Sequence, residues 1–195
     1  DVCSSDLYSH SQINFAFFVN KKKKYEFYRY DNSYFDKKGN EIRKQFLKTP
    51  LNFTRVSSNF SYSRLHPILK KRRPQLGIDN AAPTGTPVYT TGDGTIIHRG
   101  KKGGYGKTVI IRHANKYTTL YAHLSKYRKG QRVGSKVKQK QVIGYVGSTG
   151  LSTGPHLHYE FRIRGKHINP KKVKSKRVNK LRGEKYKNFL REIKQ

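Results

Sequence analysis

Short runs of β-branched and aromatic residues separated by glycine and proline dominate the chain from Pro50 onward, as in AAPTGTPVYTTGDGTII and GGYGKTVIIRH. Runs of this kind favour strands, and the Gly-rich segments between them favour turns. Sequential antiparallel pairing is the simplest topology for such a pattern. The sequence therefore predicts a mainly β fold built on an antiparallel curved sheet or sandwich. Strands are predicted at residues 87–90, 95–98, 107–113, 117–123, 141–146 and 156–164.

Composition divides the chain into three segments. Residues 1–49 are predicted to be a partial N-terminal β region, residues 50–170 the main domain, and residues 171–195 a basic tail. The apolar run at 13–19 is about a third of the roughly 20 residues needed to cross a bilayer, so it is predicted to be a strand. We therefore expect no transmembrane segment.

The basic tail contains an amphipathic pattern. Its apolar positions are Tyr186, Phe189, Leu190 and Ile193. This spacing lines one face of a helix, which is predicted to begin near Gly183. We expect a short C-terminal helix that packs its apolar stripe back onto the main domain instead of binding a membrane. The chain begins at Asp1 and contains no methionine, so we also expect a processed product or a fragment of a longer precursor.

Charge limits the partners of the chain. Lys and Arg total 43 against 11 Asp and Glu, a formal net charge of +32. Such a surface attracts polyanions, which include nucleic acid, anionic lipid and anionic wall polymers, and charge alone does not choose among them. The interleaved Tyr28, Tyr30 and Tyr34 leave a nucleic-acid-binding β protein as an alternative. Because no RNA- or DNA-binding motif is recognisable, no specific nucleic acid partner is predicted.

The run GSTGLSTGPHLHYEF contains the most informative residues. His156 and His158 are two apart in a predicted strand, so both imidazoles point to one face and Leu157 to the other. That arrangement suits a metal ligand beside a proton carrier, although a structural pair or chance also explains it. Asp79 in PQLGIDNAAPTGTPV and His123 in YTTLYAHLS are further candidates, with a turn or capping role as the alternative for Asp79.

Taken together, GIDNAAPTGTPV, YGKTVIIRH, YTTLYAHLS and GYVGSTGLSTGPHLHYEF closely resemble the LytM or lysostaphin-type zinc metallopeptidases, also called β-lytic. The resemblance covers about residues 50–170. The upstream FLKTPLNFTRVSSNFSYSRLHPIL resembles the lead-in of Gram-negative members. The resemblance to this family implies the LytM-type fold, a bound zinc ion and endopeptidase activity on peptidoglycan. The run at 133–147 also resembles a lipoyl-type hairpin, a relation of fold without a carried cofactor.

The resemblance implies a role for each candidate. Members of the family hold zinc with an H-x-x-x-D motif and the second His of H-x-H, which correspond here to Gln75, Asp79 and His158. The catalytic histidines, which assist the water and the tetrahedral intermediate, correspond to His123 and His156. Such a site needs three protein ligands and one open position for water.

Position 75 departs from the family pattern, because Gln75 stands where the motif has histidine. An amide oxygen is a poor partner for zinc, which prefers imidazole, thiolate or carboxylate. We therefore expect weakened zinc binding. Replacement by His66 is a less favoured alternative. His98 and His167 are expected at turns and His113 at a strand end near the cleft, all three in surface or structural roles.

Two functions follow from these residues. The first is a zinc-dependent endopeptidase that hydrolyses peptide cross-links of bacterial peptidoglycan in the periplasm, the cell envelope or outside the cell. Its basic surface is expected to contact anionic cell-envelope polymers. The alternative is a catalytically degenerate LytM module that binds peptidoglycan or activates a partner hydrolase, and Gln75 is the reason for keeping it.

Overall fold

The computed structural model describes residues 13–52, 55–65, 72–114 and 116–194. Within them the chain forms two compact units. One unit combines the residues up to Gln45 with Lys176–Gln195, and the other is Phe46–Ser175. This division follows contacts in space, whereas the three segments above follow composition.

The smaller unit is a three-stranded antiparallel sheet with one helix. Its elements are β1 Phe15–Asn20, β2 Lys23–Tyr30, β3 Ser33–Phe35 and α1 Gly183–Glu192. Phe189 of α1 is fully buried, and its ring lies 5.6 Å from that of Tyr30 and 6.1 Å from that of Phe35. The helix therefore packs on the sheet of the smaller unit, whose Tyr28, Tyr30 and Phe35 supply the apolar surface, whereas the main domain was the expected partner. Across the described residues, no helix has the length and apolarity needed to cross a membrane.

The larger unit contains twelve of the strands in the described residues. They are β4 Arg55–Ser58, β5 Ser61–Leu65, β6 Arg72–Gln75, β7 Ile78–Ala81, β8 Pro87–Tyr89, β9 Gly94–Lys101, β10 Lys107–Arg112, β11 Tyr117–Tyr127, β12 Lys136–Val137, β13 Val142–Val146, β14 His156–Ile163 and β15 Lys166–Ile168. Strands β5 and β6 pair with each other, and the other ten form one sheet in which all pairings are antiparallel. The mainly β fold with a short C-terminal helix is confirmed.

The sheet order departs from simple sequential pairing. The main path runs β12-β9-β10-β11-β14-β7-β4, so β14 lies between β11 and β7, two strands that are distant from it in sequence. The prediction of sequential pairing is therefore wrong for β12, β13 and the pairing of β14 with β11 and β7, whereas it holds for β9-β10-β11 and β14-β15. For β14 the physical cause is burial, because Leu157, Tyr159 and Phe161 on one face of β14 are at most 3% exposed. Packing of this face against the core stabilises β14 in that position.

The core lies on that same face of β14. Its buried residues include Val109 and Ile111 from β10 and Ile143 and Val146 from β13. Burying each such side chain contributes about 1.5–3 kcal/mol. Because strand residues alternate between faces, this packing directs the intervening residues of β14 to the opposite side of the sheet.

Candidate active site

Asp79 and His158 form the central pair of the site. They lie directly opposite each other in the register of β7 and β14, and Asp79 Oδ1 is 2.7 Å from His158 Nδ1. Gly77 makes room for the imidazole, since a Cβ atom there would lie 2.8 Å from His158 Nε2 and 2.6 Å from the Tyr159 carbonyl oxygen. A side chain at position 77 would thus displace the ring.

Gln75, the last residue of β6, closes a triangle with this pair. Its Nε2 donates to Asp79 Oδ1 at 2.7 Å and lies 3.3 Å from His158 Nδ1. The structure thus brings the three residues of the expected ligand set together. A half-turn of the carboxamide would place its oxygen where the nitrogen now lies. In the present arrangement the amide acts as a hydrogen-bond donor to the carboxylate.

Glu160 is a site residue that the sequence analysis missed. It is fully buried, and its Oε1 lies 3.1 Å from His158 Nε2 and accepts a hydrogen bond from the Tyr105 hydroxyl at 2.7 Å. Its Oε2 accepts from Arg162 Nε at 2.8 Å and lies 3.1 Å from His167 Nε2. Alternation along β14 was the signal that could have found it, because Glu160 shares a face with His156 and His158.

The carboxylates control the charge of His158. Burial disfavours the imidazolium, but hydrogen bonds to Asp79 and Glu160 outweigh it and raise the pKa of His158 to about 9. Burial likewise opposes ionisation of Glu160, yet its bonds to His158 and Tyr105 lower the pKa of this carboxyl to about 2. The pKa of Asp79 is also lowered, because the hydrogen bond with His158 outweighs the effect of burial. Both acids are therefore ionised at neutral pH.

His123 and His156 form the other side of the site, with ring centroids 4.7 Å apart. His123 has a φ of 60° and lies where the pairing of β10 with β11 shifts register, so a bulge directs its side chain. Its Nδ1 is 2.7 Å from the Thr149 carbonyl oxygen, and His156 Nδ1 is 2.8 Å from that of Gly154. In the neutral rings each Nδ1 therefore donates, leaving both Nε2 atoms as acceptors. Burial lowers the pKa of His123 to about 4.

A cavity of about 660 Å³ joins the two sides. All five predicted site residues line it: Gln75, Asp79, His123, His156 and His158. One wall is the loop around Gly150, which has a φ of 80° and packs so tightly that a Cβ would lie 2.4 Å from the Gly104 carbonyl oxygen. Tyr105 also lines the cavity, although no sequence motif indicated that it belongs to the site.

The remaining histidines have other positions. His113 is buried, with Nδ1 2.7 Å from the Asp93 carbonyl oxygen and Nε2 2.8 Å from Thr119 Oγ1, which agrees with a structural role. The expectation of turns is wrong for His98 and His167, which lie in β9 and β15 because pairing continues through both positions. His66, the alternative ligand, lies outside the described residues.

The donor set fits zinc with one weak member. Asp79 and His158 supply a carboxylate and an imidazole, both usual zinc donors, from adjacent strands. In the described residues, no group of three or more His, Cys, Asp and Glu side chains is arranged to hold a metal. The third residue beside the pair is Gln75, which directs its Nε2 at Asp79, and its amide oxygen would be a weak zinc donor after a half-turn of the carboxamide.

Comparison with known proteins confirms the resemblance found in the sequence. The profile of Peptidase family M23 matches residues 73–170, half of the chain, and this chain belongs to that family. The matched region contains every residue of the candidate site.

Individual relatives agree with this result. The peptidoglycan DD-endopeptidase ShyC of Vibrio cholerae is 41% identical over 182 residues, which cover 92% of this chain and 42% of ShyC. The crystal structure of a zinc containing peptidase from Vibrio cholerae matches with a TM-score of 0.62 at 33% identity, over 83% of this chain and 50% of that one. The catalytic domain of lysostaphin from Staphylococcus simulans matches with a TM-score of 0.53 at 29% identity, over 60% and 89%. This chain spans less than half the length of ShyC.

Proposed function

We propose that this chain is a zinc-dependent endopeptidase that hydrolyses peptide cross-links of bacterial peptidoglycan. The observation that carries the proposal is the pairing of Asp79 with His158 in one cavity with His123 and His156. Membership of Peptidase family M23 and the name of ShyC support the reaction and the substrate class.

Asp79, His158 and the amide oxygen of Gln75 would hold the metal. Zinc bound there would polarise the peptide carbonyl and lower the pKa of a bound water. Asp79 is suited to this task because its carboxylate is ionised beside His158. The cavity that these residues line has room for an extended stretch of peptide.

His123 and His156 would manage protons and charge. His123 is uncharged at neutral pH because burial lowers its pKa, and the Thr149 carbonyl fixes the proton on Nδ1. Its Nε2 is thereby available to accept a proton from the attacking water. With Nδ1 held at the Gly154 carbonyl, the neighbouring His156 is oriented to take part in proton transfer or to stabilise the developing oxyanion.

The charge distribution supports a cell-envelope setting. Residues 46–175 contain 26 Lys and Arg but only three acidic residues, Asp79, Asp93 and Glu160. Two of these three acids are in the site, so nearly all the other charged residues of this unit are basic. We propose that this surface contacts anionic polymers of the envelope, in the periplasm or outside the cell.

Digestion of purified sacculi tests the proposal. We expect the chain, supplied with zinc, to release uncross-linked muropeptides that mass spectrometry identifies. The variant Asp79→Ala should release none under the same conditions. Intact cross-links after prolonged digestion by a folded, zinc-loaded protein would refute endopeptidase activity.

The alternative is a degenerate module that binds peptidoglycan without cutting it. The hydrogen bond from Gln75 to Asp79 favours it, because it satisfies the carboxylate without a metal. The variant Gln75→His distinguishes the two. If the native protein is a weakened enzyme, zinc affinity and cleavage should rise together by at least about 10-fold. If the variant gains zinc but still cuts nothing, the degenerate module is the better description.

A further inference from the structure

We infer that Glu160 is a positioning residue that holds His158 by its Nε2–H and so keeps Nδ1 directed at Asp79 and the candidate zinc position. The inference deepens the proposed function and rests on it for the identity of the metal. Glu160 contacts the imidazole at Nε2, the nitrogen that does not face Asp79, so its role is exerted through His158.

The hydrogen-bond geometry carries the first part of the argument. The two nitrogens of His158 face two different carboxylates, Asp79 at Nδ1 and Glu160 at Nε2, at 2.7 and 3.1 Å. An imidazole held at both ends has its ring plane and orientation fixed. With Glu160 accepting from Nε2–H, Nδ1 is the nitrogen that would lose its proton and present a lone pair to a metal.

The surroundings of Glu160 keep it in place. The Tyr105 hydroxyl shares Oε1 with His158, while Arg162 and His167 contact Oε2. Both oxygens are therefore occupied although the side chain is fully buried. A buried carboxylate is stable only when it is bonded in this way, and Arg162 would still hold Oε2 if the contact with His167 were removed.

The composition of the unit gives an independent argument. Residues 46–175 contain only three acidic residues, yet two of them contact the same imidazole. The third, Asp93, accepts a hydrogen bond from the backbone of Gln139, away from the cavity lining. A carboxylate needed only for packing or solubility has no reason to be at this position, where burying it carries a large desolvation cost.

The first test uses the metal-free protein, labelled with 15N-histidine, and its variants Glu160→Gln and His167→Gln. We expect the native spectrum to show a downfield, slowly exchanging Nε2–H proton of His158, identified by its absence in His158→Asn and distinguished from the Nδ1–H proton by its persistence in Asp79→Asn. Glu160→Gln should move this resonance upfield and speed its exchange. His167→Gln, which removes a contact to the far oxygen only, should leave it in place.

The second test measures zinc affinity by competition with a chromophoric chelator. We expect Glu160→Gln to weaken binding by about 10 to 100-fold and His167→Gln to change it by much less. Equal losses of zinc affinity in the two variants would mean that Glu160 has only a structural role, which would overturn the inference.

The two proposals fail in different ways. A rapidly exchanging Nε2–H of His158 in the native protein overturns the positioning role, whether or not Glu160→Gln folds. Absence of muropeptide cleavage with the slowly exchanging proton present instead refutes only the proposed function.

Discussion

The histidines on the two sides of the site have hydrogen-bond partners of different charge. His158 is bonded to two carboxylates, whereas His123 and His156 are bonded to backbone carbonyls through Nδ1. The pKa of His158 is raised to about 9 and that of His123 is lowered to about 4, although both are buried. The partner, not burial alone, decides which imidazole bears charge. In the proposed function, the side with His158 holds the metal and the side with His123 and His156 exchanges protons.

Removing His123 should break the proton-handling side with the largest effect. We expect His123→Ala to lower kcat on a cross-linked muropeptide by about 10² to 10⁴-fold, the usual contribution of a general acid or base. Zinc content, measured by atomic emission, should not change, because His123 has no bond to Asp79 or His158. Loss of zinc together with activity would show that the two sides are not separate.

Neutralising Asp79 should break the metal-holding side. We expect Asp79→Asn to lower zinc affinity by at least about 100-fold, since losing a ligand costs more than the typical 10 to 100-fold of an outer partner. Isothermal titration with zinc measures the change. Unaltered affinity would mean that the metal is held elsewhere.

The pH dependence of stability should sharpen the contrast in the metal-free protein. Between pH 6.5 and about 4 the unfolded chain binds a proton at His123 that the folded protein does not bind. The free energy of unfolding therefore decreases as the pH is lowered through this range. The raised pKa of His158 stabilises the fold fully below pH 6.5, and this contribution is lost as the pH rises to about 9.

Stability of the metal-free protein is therefore expected to be greatest near pH 6.5. Urea denaturation midpoints between pH 4 and 9 measure it. The variant His123→Gln should flatten the acid limb and leave the alkaline limb intact. A midpoint that rises steadily across this whole range would contradict the assignment for His158.

Removing Ser152 should have the smallest effect. Its hydroxyl lies 3.2 Å from His156 Nδ1, but the Gly154 carbonyl oxygen is closer, at 2.8 Å. We expect Ser152→Ala to lower kcat by less than about 10-fold, because the remaining carbonyl still orients the ring. Steady-state kinetics on the same muropeptide check this, and a loss as large as that of His123→Ala would make Ser152 the main partner of His156.

Local rules predicted a large part of the site. Alternation along β14 was enough to direct His156 and His158 to one face and Leu157 into the core. The same rule places Glu160 on the face of His156 and His158. The strands at β8, β10 and β14 were predicted within two residues, because turn residues delimit them.

The amino-acid sequence by itself determined the β class of the fold, the face on which the histidines lie and the unusual glutamine at position 75. Only the tertiary structure decided that β14 lies beside β7 with His158 opposite Asp79, that a bulge turns His123 toward the cavity, and that Glu160 contacts His158 Nε2. The physical reason is that alternation and turn preference act between neighbours in the chain. Strand order and register, by contrast, are set by the packing of the whole core, to which residues far apart in sequence contribute together.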